Sequence, residues 1–208
     1  MEKEKQPTKQ RILIEALILF SEKGYGPVTV AQIANAVGIK ASSLYNHYVS
    51  KQNIFDAILS EMYVRYEKYA GKVQRNVSDP NKDAEFFMGV SEDKLIEVTL
   101  SMFSFFLHDD FTRKIRKMLT IEQYGNPELA RVYIKQYHDD LLVFQEARFS
   151  EFVRAGFLIA EDAQIMALQY FAPILLYIKV CDSRSAREAE AVAMITKHIR
   201  QFNRLYKK

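Results

Sequence analysis

A chain of 208 residues, 49% of them hydrophobic and 26% charged, can bury one large core or two small ones. Seven glycines and five prolines leave most of the chain free to be helical, which describes a soluble protein. A single cysteine, Cys181, excludes an internal disulfide and suits a reducing cytoplasm. No basic-then-apolar leader opens the chain, and the most apolar run, Ile165 to Ile178, is broken by Gln169 and Pro173. It falls short of the roughly 20 residues a bilayer span needs, so no membrane partner is expected.

Helical start and stop signals recur along the chain and no strand pattern does, so the expected fold is all-α with about nine helices. The first should run from about Thr8 to Lys23, burying Ile12, Leu13, Ala16, Leu17 and Phe20 and ending at Gly24. Thr29 and Gln32 fit a capping box for a second helix that carries Ile33, Ala34 and Val37 inward. Gly38 makes a turn, a brief helix from about Lys40 to His47 follows with Leu44 inward, and Ser50 caps a longer one reaching Tyr69. Gly71 to Lys94 reads as a connection, because Asp79-Pro80-Asn81 and Gly89 are breakers. Beyond it helices are expected over about 94–107, 110–123, 127–155, 162–181 and 186–206. Asn126 and Pro127 should start the third of these, Gly156 should end it, and Ser185-x-x-Glu188 offers a second capping box to the last. The domains expected are residues 1–50 and 51–208, with helix 51–70 joining them.

Two short helices around Gly38 are the layout that helix-turn-helix proteins present to a major groove. Small side chains at Lys40-Ala41-Ser42-Ser43 would let the backbone approach bases, and Asn46 and His47 can bond to base edges or phosphate. Tyr45 and Tyr48 can set hydroxyls on phosphates, Lys51 can supply a charge, and Thr29 places the amides of a helix start beside them. The formal net charge is +3, and residues 1–51 hold all of it: seven Lys and Arg against four acids, with 22 of each sign in the rest. Phosphate neutralisation would use that local excess.

The order of these features is more specific than a generic pattern. Thr29, Ala34-x-x-x-Gly38, Leu44-Tyr45-x-His47-Tyr48 and Lys51, with the prelude Ile12, Ala16, Leu19-Phe20 and Gly24-Tyr25, resembles the N-terminal domain of the TetR family of transcriptional regulators. About residues 9–60 are covered. Tyr48 stands where Phe is usual, and Gln52-Asn53 replaces the acids often found in the first turn of the next helix. The resemblance implies a three-helix DNA-binding domain, a divergent C-terminal ligand-sensing domain and a homodimer. It places Lys40, Ala41, Ser42, Ser43, Tyr45, Asn46, His47 and Lys51 against a palindromic operator. It also implies that the last two long helices pair with their twins across the dimer axis. Their apolar stripes offer Met166, Tyr170, Ile174 and Tyr177, then Val192, Ile195, Ile199 and Phe202, for that seam; the alternative is that the stripes face their own core.

After residue 51 lie 22 of the 26 Phe and Tyr residues. Met102, Phe103, Phe106, Met118, Tyr124, Tyr137, Phe144 and Phe171 are candidate lining for a pocket that takes a small hydrophobic or aromatic effector, though core packing explains any one of them. The charge balance does not indicate the effector's head group. His108-Asp109-Asp110 and His138-Asp139-Asp140 invite a metal reading, but adjacent helical residues point about 100° apart and chelate poorly. Neither a cofactor nor a catalytic set is implied. The expected function is a ligand-responsive repressor that binds its operator as a homodimer. An all-α enzyme using the C-terminal cavity and an interaction module that does not read DNA are the alternatives.

Overall fold

The computed structural model of the protein describes residues 7–208; the charges of Glu2, Lys3, Glu4 and Lys5 lie outside it. The elements run α1 (Thr8–Lys23), α2 (Val30–Val37), α3 (Ala41–Leu44), α4 (Lys51–Lys72), α5 (Pro80–Met88), α6 (Glu92–His108), α7 (Asp110–Glu122), α8 (Pro127–Ile134), α9 (Asp140–Arg154), α10 (Ala163–Ser183) and α11 (Glu188–Tyr206). Among the described residues the only extended pairing is an isolated bridge between Leu158 and Lys207. The all-α expectation holds. Helix count and several boundaries differ.

The stretch read as a connection contains α5. Asp79 is its N-cap, its carboxylate accepting from the amides of Asn81 and Lys82, and Pro80 occupies the first turn where its missing N–H costs nothing. The expected helix 127–155 is interrupted by a π turn at Lys135–Asp139, so it reads as α8 and α9. Asn126 accepts from the amides of Glu128 and Leu129 at its start, and Gly156 ends it with a φ of +71°. The capping box at Ser185-x-x-Glu188 does not form. A 3₁₀ turn covers Ser185–Arg187, no side chain caps α11, and Glu188 instead bonds His108.

The chain forms two compact units, and their boundary does not follow residue 50. One runs to Arg65 and takes in Asp110–Tyr133; the other comprises Tyr66–Asp109 and Ile134–Lys208. In the first unit α1, α2, α3 and the start of α4 bury Ile12, Leu17, Phe20, Ile33, Leu44, Ile54, Phe55 and Ile58, and α7 packs on α1 with Ile115, Met118 and Leu119 buried. Phe20, Tyr25 and Phe55 meet in sequence with ring centroids 5.1 Å apart at each step.

In the second unit α9 and α10 pair, flanked by α5, α6 and α11. Its core joins Phe87, Phe103, Phe149, Phe152, Met166, Tyr170, Ile174, Ile195, Ile199 and Phe202. α10 is long and apolar enough, by length and composition, to cross a bilayer, contrary to the sequence expectation. Met166, Ala167, Tyr170, Ile174, Ile178 and Cys181 are nevertheless buried along one side of it, in this core.

Candidate nucleic-acid interface

The helix-turn-helix is assembled by local chemistry. Thr29 Oγ1 accepts from the Gln32 amide at 3.2 Å and Gln32 Oε1 accepts from the Thr29 amide at 2.8 Å, so the capping box forms as its spacing predicts. Gly38 closes α2 in the left-handed conformation, with φ +77° and ψ +36°. The Ile39 amide then reaches back to Ala34 O, which turns the chain toward α3. α3 itself is one turn, Ala41–Leu44, and the segment to His47 continues as hydrogen-bonded turns rather than as helix. Leu44 and Tyr48 point into the core, while Lys40, Ala41, Ser42, Tyr45 and Asn46 are exposed and Ser43 and His47 half-exposed. That edge is small, polar and basic, with no carboxylate in residues 29–51.

Two expected phosphate contacts take other roles. The Tyr48 ring is only 4% exposed and its hydroxyl donates to Lys9 O at 3.4 Å, so it fastens α1 to this segment. Burial raises its pKa. Lys51 Nζ donates to the carbonyls of Tyr25 at 2.9 Å, Gly26 at 3.1 Å and Val28 at 2.9 Å, and sits 4.4 Å from the Tyr25 ring centroid. Three acceptors match its three donors. Its charge holds the α1–α2 loop, and burial lowers its pKa against the raising effect of Glu122.

Sequence reasoning missed Glu122. Its carboxylate accepts from the Tyr25 amide at 2.8 Å, and it comes from α7, 97 residues away. Arg11, which donates to Val37 O and so ties α1 to the end of α2, was also missed. An arginine on the surface of an amphipathic helix carries no signal that it will do this. Ser50 Oγ accepts from the Asn53 amide at 3.0 Å, so α4 is capped despite lacking acids in its first turn.

The second unit redistributes the remaining candidates. Met102 and Phe103 are buried and Phe106, Tyr137, Phe144 and Phe171 half-buried. Tyr124 is 86% exposed in the loop after α7, and Met118 belongs to the core of the first unit, so neither lines a pocket in the second. The expected dimer seam is corrected more sharply. Met166, Tyr170, Ile174, Ile195, Ile199 and Phe202 are core, with Tyr170 5.1 Å from Phe202 and 5.7 Å from Phe149 by ring centroid. Tyr177 and Val192 are half-buried at its margin. The opposite face of α10 exposes Ile165, Leu168 and Leu176, and the flank of the buried stripe on α11 exposes Met194 and Leu205.

Among the described residues no group of three or more His, Cys, Asp and Glu side chains could hold a metal ion. His108 Nε2 lies 2.9 Å from Glu188, Asp110 pairs with Lys114 and Arg113, and Lys135 pairs with Asp140.

An all-α chain that displays such an edge on a short helix after a glycine turn is a helix-turn-helix protein. Residues 12–58 match the model described as bacterial regulatory proteins, tetR family. Over 48 residues the chain is 48% identical to IcaR of Staphylococcus aureus, the negative transcriptional regulator of a biofilm operon. That match covers 23% of this chain and 26% of IcaR, about a quarter of each. A TetR-family regulator structure from Mesorhizobium loti is 17% identical with a TM-score of 0.71, and each chain covers all of the other. SmeT of Stenotrophomonas maltophilia, in a complex with triclosan, is 17% identical with a TM-score of 0.69, covering 98% of this chain and 93% of its own. Residues 12–58 are thus similar to the DNA-binding segment of the tetR family, and the fold over the whole length is shared with solved structures of regulators described as TetR-family.

Proposed function

We propose that the protein is a cytoplasmic transcriptional repressor that grips a palindromic operator as a homodimer and is released by a small hydrophobic effector bound in the second unit. The observation that carries this is the exposed edge Lys40, Ala41, Ser42, Ser43, Tyr45, Asn46 and His47, held out by the burial of Leu44 and Tyr48 on its other side. Small residues admit the backbone to the groove, Asn46 and His47 bring donors and acceptors to base edges, and Lys40 meets phosphate. One tip covers only a few base pairs, so two tips on one dimer supply useful affinity. IcaR, 48% identical over 48 residues, is a negative regulator, which supports repression. SmeT, a repressor of a multidrug efflux pump crystallised with triclosan, supports a small-molecule effector. The half-buried aromatics Phe106, Tyr137, Phe144 and Phe171 suit a hydrophobic one. α4 has a long stretch of residues in each unit, and effector binding would act on the reading edge through it. A coupling of about 1–3 kcal/mol relieves repression several-fold or more.

The test is fluorescence anisotropy on DNA from the region flanking the gene, against random duplex of equal length and across salt concentrations. A flanking duplex bound about a thousandfold more tightly than random DNA is expected. Equal affinity for both at every salt concentration would rule the reading out.

A further inference from the structure

We propose that the second unit binds an organic carboxylate, with Arg148 as the residue that takes the acid group and the surrounding phenyl rings as the seat of an apolar body. This rests on the reading of that unit as the effector-binding half and supplies the head group that reading lacks.

The observation is a charge imbalance in a buried place. Asp83, on α5, is fully buried, and its carboxylate is filled. Oδ1 accepts from Arg75 Nε at 3.2 Å and the Asn76 amide at 3.1 Å; Oδ2 accepts from Arg75 at 2.7 Å and Arg148 at 3.0 Å. Among the described residues no other carboxylate bonds either guanidinium. Two cations therefore share one anion, with side chains 7% and 4% exposed for Arg75 and Arg148. Arg148 Nε is buried with no hydrogen-bond partner, and so is Oε1 of Gln145, one helical turn earlier on α9.

A charged donor left unanswered in an apolar interior is costly, because desolvation is not repaid by a partner. Burial, and then the neighbouring charge of Arg75, push the Arg148 pKa below its ordinary value. Around the guanidinium stand Phe87, Phe149, Phe171 and Phe152, with its central carbon 4.9, 5.5, 5.4 and 5.7 Å from their ring centroids. Ring faces ease a cation's burial but do not replace an anion. A ligand carboxylate would accept from Nε and bring the site to two charges of each sign. In a low dielectric such a charge-assisted bond is strong. Gln145 Oε1 is left to accept from a hydroxyl or amide of the same molecule. The rings favour an acid with an aromatic or alkyl body over a small, strongly hydrated anion. Phe171, half-buried, is the ring of the four nearest to solvent.

The experiment titrates the full chain with phenylacetate, 4-phenylbutyrate and octanoate, with the primary amide of each, and with inorganic phosphate. Thermal midpoint and calorimetric affinity are read. At least one acid should raise the midpoint progressively and bind about tenfold or more tightly than its amide, with phosphate inert. Arg148→Gln should abolish the acid's effect, and Arg148→Lys, which keeps the charge, should retain weakened binding. The proposal falls if no acid shifts the midpoint, if the amides bind as well, if phosphate binds as well as the acids, or if Arg148→Gln binds acid like the unaltered chain. Should both variants fail to fold by circular dichroism, the acid–amide comparison on the unaltered chain decides. A parallel titration with flanking DNA separates the two readings. Acid binding without selective DNA binding leaves this site standing and removes the regulator; selective DNA binding without acid binding does the reverse.

Discussion

Lys51 and Lys40 are both cations near the reading edge, and their surroundings assign them opposite work. Lys51 has its three donors engaged by the carbonyls of Tyr25, Gly26 and Val28, whereas Lys40 is exposed. Bonds from a charged group to backbone, part-shielded from water, are worth about 1–2 kcal/mol in total here once solvent screening is allowed for. Lys51→Ala should therefore lower the denaturant midpoint of unfolding while leaving the dependence of DNA affinity on salt unchanged. Lys40→Ala should do the converse, leaving stability alone and flattening the slope of log affinity against log salt by about one. Denaturant titration and a salt series on both variants check this; a slope lost with Lys51 and kept with Lys40 would reverse the assignment. Asn46 differs from both, since an amide at the exposed tip carries no charge to release counterions. Asn46→Ala should change the ranking of operator sequences by about 1–3 kcal/mol, measured by competition among duplexes differing at single positions, with the salt slope intact.

At the scale of elements, the loop between α1 and α2 shows how far an element's neighbours can lie. Gly24 leaves α1 with φ +84° and ψ +162°, a region closed to other residues, and a Cβ there would run into the Glu122 carboxylate. Gly24→Ala should cost about 1–3 kcal/mol through strain alone, more if Glu122 is displaced from the Tyr25 amide. Thermal unfolding of that variant beside Glu122→Gln would separate the two contributions, and a neutral Gly24→Ala would show that the loop relaxes freely. The helix-turn-helix was legible because its determinants are close in sequence: Thr29 bonds Gln32, Gly38 turns α2, and Ser50 caps α4. Glu122 was not, because nothing within α7 marks an acid that will hold a loop 97 residues earlier. The same holds for Asp83 and Arg148, which meet across 65 residues and read as ordinary surface charges until both are buried. Asp79-Pro80 was legible and misjudged. Aspartate before proline breaks a helix that precedes it and starts one that follows, and here only the second applies. The π turn at Lys135–Asp139 has no such local mark, and helical spacing runs through it unbroken to the eye.

For the whole molecule, the proposed dimer needs a face of α10 and α11 that can meet a second copy. The regular stripes Met166-Tyr170-Ile174 and Ile195-Ile199-Phe202 are the more hydrophobic, yet they fill the core of their own unit. A helix that is apolar on two sides has one side to spare: on α10 that side carries Ile165, Leu168 and Leu176, and Met194 and Leu205 lie on the flank of α11, each of the five between 43% and 60% exposed. Exposed apolar groups gathered on adjoining helices mark interaction surfaces, and a twin presenting the same face satisfies them by two-fold symmetry. The two faces therefore predict different failures. Leu176→Glu should leave the helical circular dichroism and the folded monomer intact while light scattering falls from dimer to monomer mass. Operator affinity should drop with it, since one reading edge is lost from each complex. Ile199→Glu should instead bury an unpaired carboxylate beside Ile195 and Phe202, costing several kcal/mol and abolishing folded protein of any mass. Were Leu176→Glu to stay dimeric and fully bound to DNA, the paired surface would have to lie elsewhere on the chain.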